Sequence, residues 1–177
     1  MAKGKDGAIQ FYYYDPRGII PLDDRFTVRR SLRQILNKKI FEIRFDTAFE
    51  ETIRACARHE SEDEGIWLSE EMIAIYCELH SRGIAHSVEA WQDEKLQGGL
   101  YGLALGSAFC GESMFSHIPF ASQVALVALV DHLREKKFIL LDAQMESQHL
   151  QQFGLYTVSQ EEYMMMLREA IQDISLF

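Results

Sequence analysis

From Ala85 to Phe115 the sequence alternates with period two, broken only at the turn Gln92-Asp93-Glu94-Lys95 and again at Gly106. Period two sends successive side chains to opposite faces of an extended chain, and short turns join neighbours antiparallel, so the stretch predicts three consecutive antiparallel strands. The next segment narrows the choice further. Pro119 opens a helix through about Leu133 in which Val124, Ala125, Val127, Ala128 and Leu129 leave little polar face, and such a helix belongs inside. FILLDAQ then reads as a strand, MESQHLQQFG as a short helix closed by Gly154, LYTV as a final strand and 160–171 as a last helix.

The upstream part has room for fewer strands. FYYYDPRGIIPL is aromatic and β-prone up to a turn at Asp15-Pro16, and Thr27 is placed to cap a short helix over 28–37. On that helix Arg29, Arg30 and Arg33 cluster, while Val28, Leu32, Ile35 and Leu36 make the apolar face. Residues 40–45 alternate as a strand, 48–57 read as a second helix and HESEDEG as a loop. A third helix over 69–82 carries Ile73, Tyr76, Cys77 and His80 at amphipathic spacing. These elements predict an α/β (α+β) chain with a mixed, largely antiparallel sheet flanked by helices, resembling the acetyltransferase-like fold in topology. Acetyltransferases of that fold carry a glycine-rich turn before the buried helix for the coenzyme pyrophosphate. Here Ser116-His117-Ile118-Pro119-Phe120-Ala121-Ser122 has no glycine, which argues against an acyl-CoA-dependent N-acyltransferase.

Charge matters through its distribution. The 177 residues carry a net charge of −9, which by itself disfavours a nucleic-acid partner. Residues 1–44, however, hold Lys3, Lys5, Arg17, Arg25, Arg29, Arg30, Arg33, Lys38, Lys39 and Arg44 against Asp6, Asp15, Asp23, Asp24 and Glu42. A basic first quarter on an acidic body fits either an anionic partner beside a cationic one, or ordinary solvated faces. One domain over 1–177 is expected, with a basic segment 1–44 and a core over 85–177. No apolar window approaches a membrane span and MAKGKDGAIQ lacks a signal-like apolar run, so a cytoplasmic protein is expected. Cys56, Cys77 and Cys110 read as buried thiols. The six histidines form no ligand motif, so neither a metal nor another cofactor is expected.

Two positions invite chemistry. Asp142 and Gln144 stand two apart on FILLDAQ, hence on one face with Leu140, and unpaired burial would cost about 1–3 kcal/mol each. Asp142 serves either a reaction or the N-cap of the helix after it. Glu112 shares a face with Cys110 and Met114 by alternation, an apolar setting for an acid, unless it sits in a surface salt bridge.

Three stretches carry a closer likeness: DPRGIIPL with the arginine helix, AHSVEAWQDEKLQGGLYGLALGSAFCGESMF, and LLDAQMESQHLQQFG. Together they resemble the leucyl/phenylalanyl-tRNA–protein transferases, from about Tyr14 onward. The resemblance implies an aminoacyltransferase that moves Leu or Phe from aminoacyl-tRNA to proteins beginning with Arg or Lys, creating a degradation signal without metal or ATP. It implies catalytic roles for Asp142, Gln144 and Glu112, and an apolar donor pocket from Leu100, Phe109, Met114, Leu126 and Leu141, each of which could equally be core. It also implies a Trp67 stacked near the terminal adenosine, otherwise a lid on the core. Arg29, Arg30, Arg33, Lys38 and Lys39 are then candidates for the tRNA backbone, and a monomer is expected. Family members usually carry several dozen more residues ahead of this region, including a short aromatic segment at the RNA end of the site. A module that binds tRNA or its protein partners without catalysis is the remaining alternative.

Overall fold

The computed structural model describes residues 2–3, 9–10, 14–59, 68–172 and 176–177. Two short strands, β1 (Ala2–Lys3) and β2 (Ile9–Gln10), pair with each other. The three-stranded meander expected over 85–115 forms as β5 (Ala85–Gln92), β6 (Lys95–Leu105) and β7 (Ala108–Ser116), and β4 (Glu42–Phe45) adds to its edge beside β5, all antiparallel. Asp93 and Glu94, at φ 51° and 55°, turn β5 into β6 with the two left-handed residues that a tight type I′ hairpin requires. Helix α4 (Ala121–Glu135) crosses over to β8 (Leu140–Gln144), which pairs parallel with β7. Strand β3 (Arg17–Ile20) then inserts antiparallel between β8 and β9 (Tyr156–Val158), giving the order β4-β5-β6-β7-β8-β3-β9.

One sequence expectation falls outside the described residues and another changes. Residues 11–13, expected to be β-prone, lie outside the described residues. Strand β3 lies after Pro16, where Ile19 and Ile20 enter the core on opposite faces, at 2% exposure each. Helix α1 (Arg30–Lys38) begins later than expected, with Arg29 at its N-cap and no side-chain cap. Thr27 turns away instead, donating its hydroxyl to Gln152 O at 2.8 Å and so fastening the segment to the far end of the chain.

The helices cover both faces. Helices α1 and α4 pack on one, where Leu32, Leu126, Leu129, Val130 and Leu133 meet Val88, Leu100, Phe109 and Leu141. Helices α2 (Phe49–His59) and α3 (Glu70–Ser81) cover the meander half of the other, around Ile53, Met72, Tyr76, Tyr101 and Phe115. Helix α6 (Gln160–Gln172) covers the remaining half over Ile19, Ala108 and Leu140. Burying each large aliphatic side chain contributes about 1.5–3 kcal/mol, so α4, with nine buried residues, is the main anchor of the sheet. Of the cysteines only Cys56 is fully buried; Cys77 and Cys110 are partly exposed. Among the described residues no helix is long and apolar enough to cross a membrane.

Candidate active site

The parallel ladder between β7 and β8 ends at Cys110 and Asp142, and the regular pairing on either side fails at the same level. On β7, Gly111 pairs with Gly102 and Ser113 with Tyr101, which leaves Glu112 as an extra, unpaired residue. On β8, Asp142 pairs with Ile19 and Gln144 with Gly18, which leaves Ala143 as a second extra residue. A bulge re-aims the side chains that follow it. The alternation that puts Glu112 on a face with Met114 is interrupted here; beyond the bulge Met114 packs on the α4 side and Phe115 on the α2/α3 side. Gly102 makes the close approach possible, since a Cβ there would overlap Cys110 O.

Gln144 ends β8 in a left-handed backbone conformation, φ 64°, which disfavours a residue with a Cβ by about 1–2 kcal/mol. Its N–H donates to Asp142 Oδ1 at 2.7 Å, and its side-chain Nε2 donates to Gly111 O at 2.8 Å and to Glu112 Oε2 at 3.3 Å. The amide thus bridges the gap where the strands part. Asp142 is fully buried and receives three further hydrogen bonds: Arg17 Nε to Oδ1 at 2.9 Å, Arg17 Nη2 to Oδ2 at 2.6 Å, and the Tyr163 hydroxyl to Oδ2 at 2.8 Å. The cap reading of Asp142 fails, because the helix after it, α5 (Gln148–Gln151), is capped by Ser147, whose Oγ accepts from Leu150 N.

The electrostatics separate the two carboxylates. Asp142 is paired; Glu112 has no cationic partner among the described side chains. Burial pushes the Glu112 carboxyl above its ordinary range, opposed first by the charge of the chain's amino terminus and then by hydrogen bonding, that from Gln144 included. Burial works against the Arg17 charge, but hydrogen bonding and attraction from Asp142 outweigh it and raise its value. Burial together with the charges of Asp142 and Glu112 pushes the Cys110 thiol up to about 12, so it stays protonated. Burial and the neighbouring Glu112 charge likewise raise the phenol of Tyr76, whose hydroxyl is buried without a hydrogen-bond partner of good geometry.

A cavity of about 380 Å³ opens beside this group, at the carboxyl ends of the two parallel strands. This is where open α/β sheets place their ligands. Its apolar wall is Ile20, Leu100, Met114, Leu126, Leu129, Leu141 and Leu150, and its polar side includes Glu112, Ser113, Ser122, Asp142, Ser147 and His149. Four of the five expected pocket residues line it. Phe109 does not, because it precedes the bulge, pairs with Leu141 inside the ladder and stacks on Phe177 at 5.4 Å between centroids. Trp67 lies outside the described residues. Arg30, Arg33 and Lys38 project from the exposed side of α1, with Arg29 and Lys39 at its ends; none touches the cavity, and none forms an ion pair among the described residues. Sequence reasoning missed Arg17, Tyr76, His149 and Tyr163. Only Arg17 had a signal, its place in DPRG; the others gain their meaning from a neighbour distant in the chain.

The glycine-free turn before α4 satisfies its own helix start. Ser116 Oγ accepts from Ser122 N at 3.2 Å, and Ile118 O accepts from Ala121 N at 3.4 Å, so these amides are turned inward, away from any pyrophosphate.

A meander, a buried crossover helix and a parallel strand, with a carboxylate and an amide at the mouth of an apolar cavity, define an acyltransferase-type scaffold of the acetyltransferase-like class. The structure of L-PGS from Bacillus licheniformis shares the fold, with a TM-score of 0.55 and 13% identity over 89% of this chain and 65% of that one. The family model for leucyl/phenylalanyl-tRNA protein transferases matches residues 19–168, and the chain belongs to that family. A leucyl/phenylalanyl-tRNA–protein transferase of Akkermansia muciniphila is 50% identical over 98% of this chain and 89% of its own length. One from Herpetosiphon aurantiacus is 51% identical over 98% and 88%.

Proposed function

We propose that this protein transfers Leu or Phe from aminoacyl-tRNA to the α-amine of proteins whose first residue is Arg or Lys, marking them for degradation, and that it works as a monomer in the cytoplasm without metal or other cofactor. The observation that carries the reading is the joining of an apolar cavity of about 380 Å³ to a carboxylate with no cationic side chain beside it among the described residues. The cavity suits an unbranched-at-Cβ apolar side chain, and Met114 adapts to either Leu or Phe. Glu112 suits the amine.

In the reaction the acceptor nitrogen attacks the ester carbonyl carbon, a C–N bond forms, and the C–O bond to the terminal ribose breaks. Starting from the α-ammonium the nitrogen loses two protons, one to a base before attack and one after it, and the departing ribose oxygen gains one. An α-ammonium has a pKa of about 7.7–8.0, and a carboxylate raised above its ordinary range is a better match for its proton than an ordinary one. Glu112 has that character. Gln144 spends both side-chain donors on Gly111 O and Glu112 Oε2, so its amide anchors and orients Glu112. The basic residues of α1 and its flanks supply backbone contacts that position RNA without reading its sequence. Trp67 remains the candidate for stacking on the terminal base. The acidic remainder of the chain favours approach of an acceptor with a cationic first residue.

The test is transfer from labelled Leu-, Phe- and Met-tRNA to peptides differing only in their first residue. Transfer of Leu or Phe to Arg- and Lys-initiated peptides, in the presence of EDTA and without nucleotide, is expected. Transfer from acyl-CoA, or none with any tRNA, rejects the reading.

A further inference from the structure

We propose that Arg17 and Tyr163 are positioning residues for the transfer reaction: by filling Asp142 they fix Gln144 against Glu112, and they leave Glu112 as the proton acceptor. The inference rests on the transferase reading above and assigns work within its site.

Every lone pair in the plane of the Asp142 carboxylate is occupied. Oδ1 accepts from Arg17 Nε and Gln144 N, and Oδ2 accepts from Arg17 Nη2 and the Tyr163 hydroxyl. Two donors on each oxygen fill the four in-plane positions of a carboxylate. A proton reaching Asp142 would have to displace an arginine fork or a buried phenol, and the residue is fully buried. Asp142 therefore has no in-plane position left for a substrate and serves as a fixed point.

Three elements meet at that point. Arg17 comes from β3, Asp142 from β8 and Tyr163 from α6, and each touches the other two: the Arg17 guanidinium also lies over the Tyr163 ring, 4.7 Å from its centroid. The ring holds the fork in plane while its hydroxyl closes the carboxylate. A planar fork on a carboxylate specifies direction as well as charge, which a lysine cannot reproduce.

The effect passes to the site through one main-chain bond. Gln144 N–H to Asp142 Oδ1 holds the left-handed turn at Gln144, and that turn aims the side-chain amide across the strand gap at Gly111 O and Glu112. Loosening Asp142 releases the turn, and the amide loses its aim. Burial, with the neighbouring Asp142 charge adding to it, gives Glu112 its raised affinity for a proton.

Tyr163→Phe removes one donor while keeping the ring, and Arg17→Lys keeps the charge while removing the fork. Single-turnover rate, acceptor KM, the pH–rate profile and the urea midpoint are measured for each beside the unaltered protein. Losing one hydrogen bond to a charged group is expected to lower kcat about 10- to 100-fold, with KM nearly unchanged and the acid limb of the profile unmoved, because Glu112 sets it. If kcat per folded molecule is unaltered, the two residues are structural only and the proposal falls. If the acid limb moves upward in Tyr163→Phe, Asp142 is the titrating base and the proposal also falls. Should Arg17→Lys not fold, Tyr163→Phe alone decides. Failure of the transferase reading looks different: the unaltered protein then shows no transfer at all.

Discussion

Gln144 Nε2 lies 3.3 Å from Glu112 Oε2, so the side chain that ends one parallel strand reaches the bulge residue of the other across a gap that no main-chain ladder spans. Regular strands would have carried Glu112 and Gln144 past each other. Two bulges and one left-handed residue bring them together, and the backbone cost falls where the cavity opens.

Glu112→Gln keeps the shape and the contact with Gln144 while removing the proton acceptor. The single-turnover rate should fall about 10²- to 10⁴-fold, with affinity for Phe-tRNA nearly unchanged. The acid limb of the pH–rate profile should vanish with it. A normal rate in the folded variant sinks the assignment of Glu112 as base.

The same carboxyl gives a stability prediction with a definite sign. Its folded-state pKa is raised above the ordinary 4.5 by burial. Its contribution is therefore fully present below 4.5 and is lost as pH climbs through the raised value. The urea midpoint of Glu112→Gln, minus that of the unaltered protein, should accordingly grow with pH across that window. A difference independent of pH would remove the shift.

Asp142→Asn should cost both folding and chemistry. An amide cannot accept from Arg17 and Tyr163 on both its atoms, so Arg17 is left in a half-buried site without its charge partner. Breaking a buried pair typically costs about 3–5 kcal/mol, at the lower end here because the Arg17 side chain is 15% exposed. Denaturant unfolding measures this directly. An unshifted midpoint would mean that the pair contributes nothing.

Replacing two of Arg29, Arg30 and Arg33 by Ala should weaken tRNA binding and reduce its log–log salt slope by about one unit for each phosphate no longer engaged. These side chains are exposed and stand apart from the catalytic cavity, so kcat at saturating tRNA should hold. An unchanged slope takes them out of the interface.

Leu126→Phe adds volume to the cavity wall, where Leu126 faces the space bounded by Met114 and Leu141. It should reduce transfer of Phe more than that of Leu, read as the ratio of the two kcat/KM values. Equal losses would place the donor side chain elsewhere.

The sequence by itself determined the meander, the buried crossover helix and the order of elements, because periodicity and apolar content are local properties: Ala85–Gln92, Lys95–Leu105 and Ala108–Ser116 fall where alternation put them. It also marked Asp142, Gln144 and Glu112, since polar groups on otherwise apolar strands are conspicuous in one dimension. It could not show what each is for. Alternation put Glu112 on a face with Cys110 and Met114, and the family resemblance put Phe109 in the pocket; one extra residue at Glu112 interrupts the alternation, and depth in the ladder keeps Phe109 from the cavity. Asp142 looked like a base or a cap until Arg17, 125 residues away, and Tyr163, 21 residues away, closed over it. Which lone pairs are free, and which carboxylate the described side chains leave without a cation, depends on how β3, β7, β8 and α6 meet, and only tertiary packing brings these together.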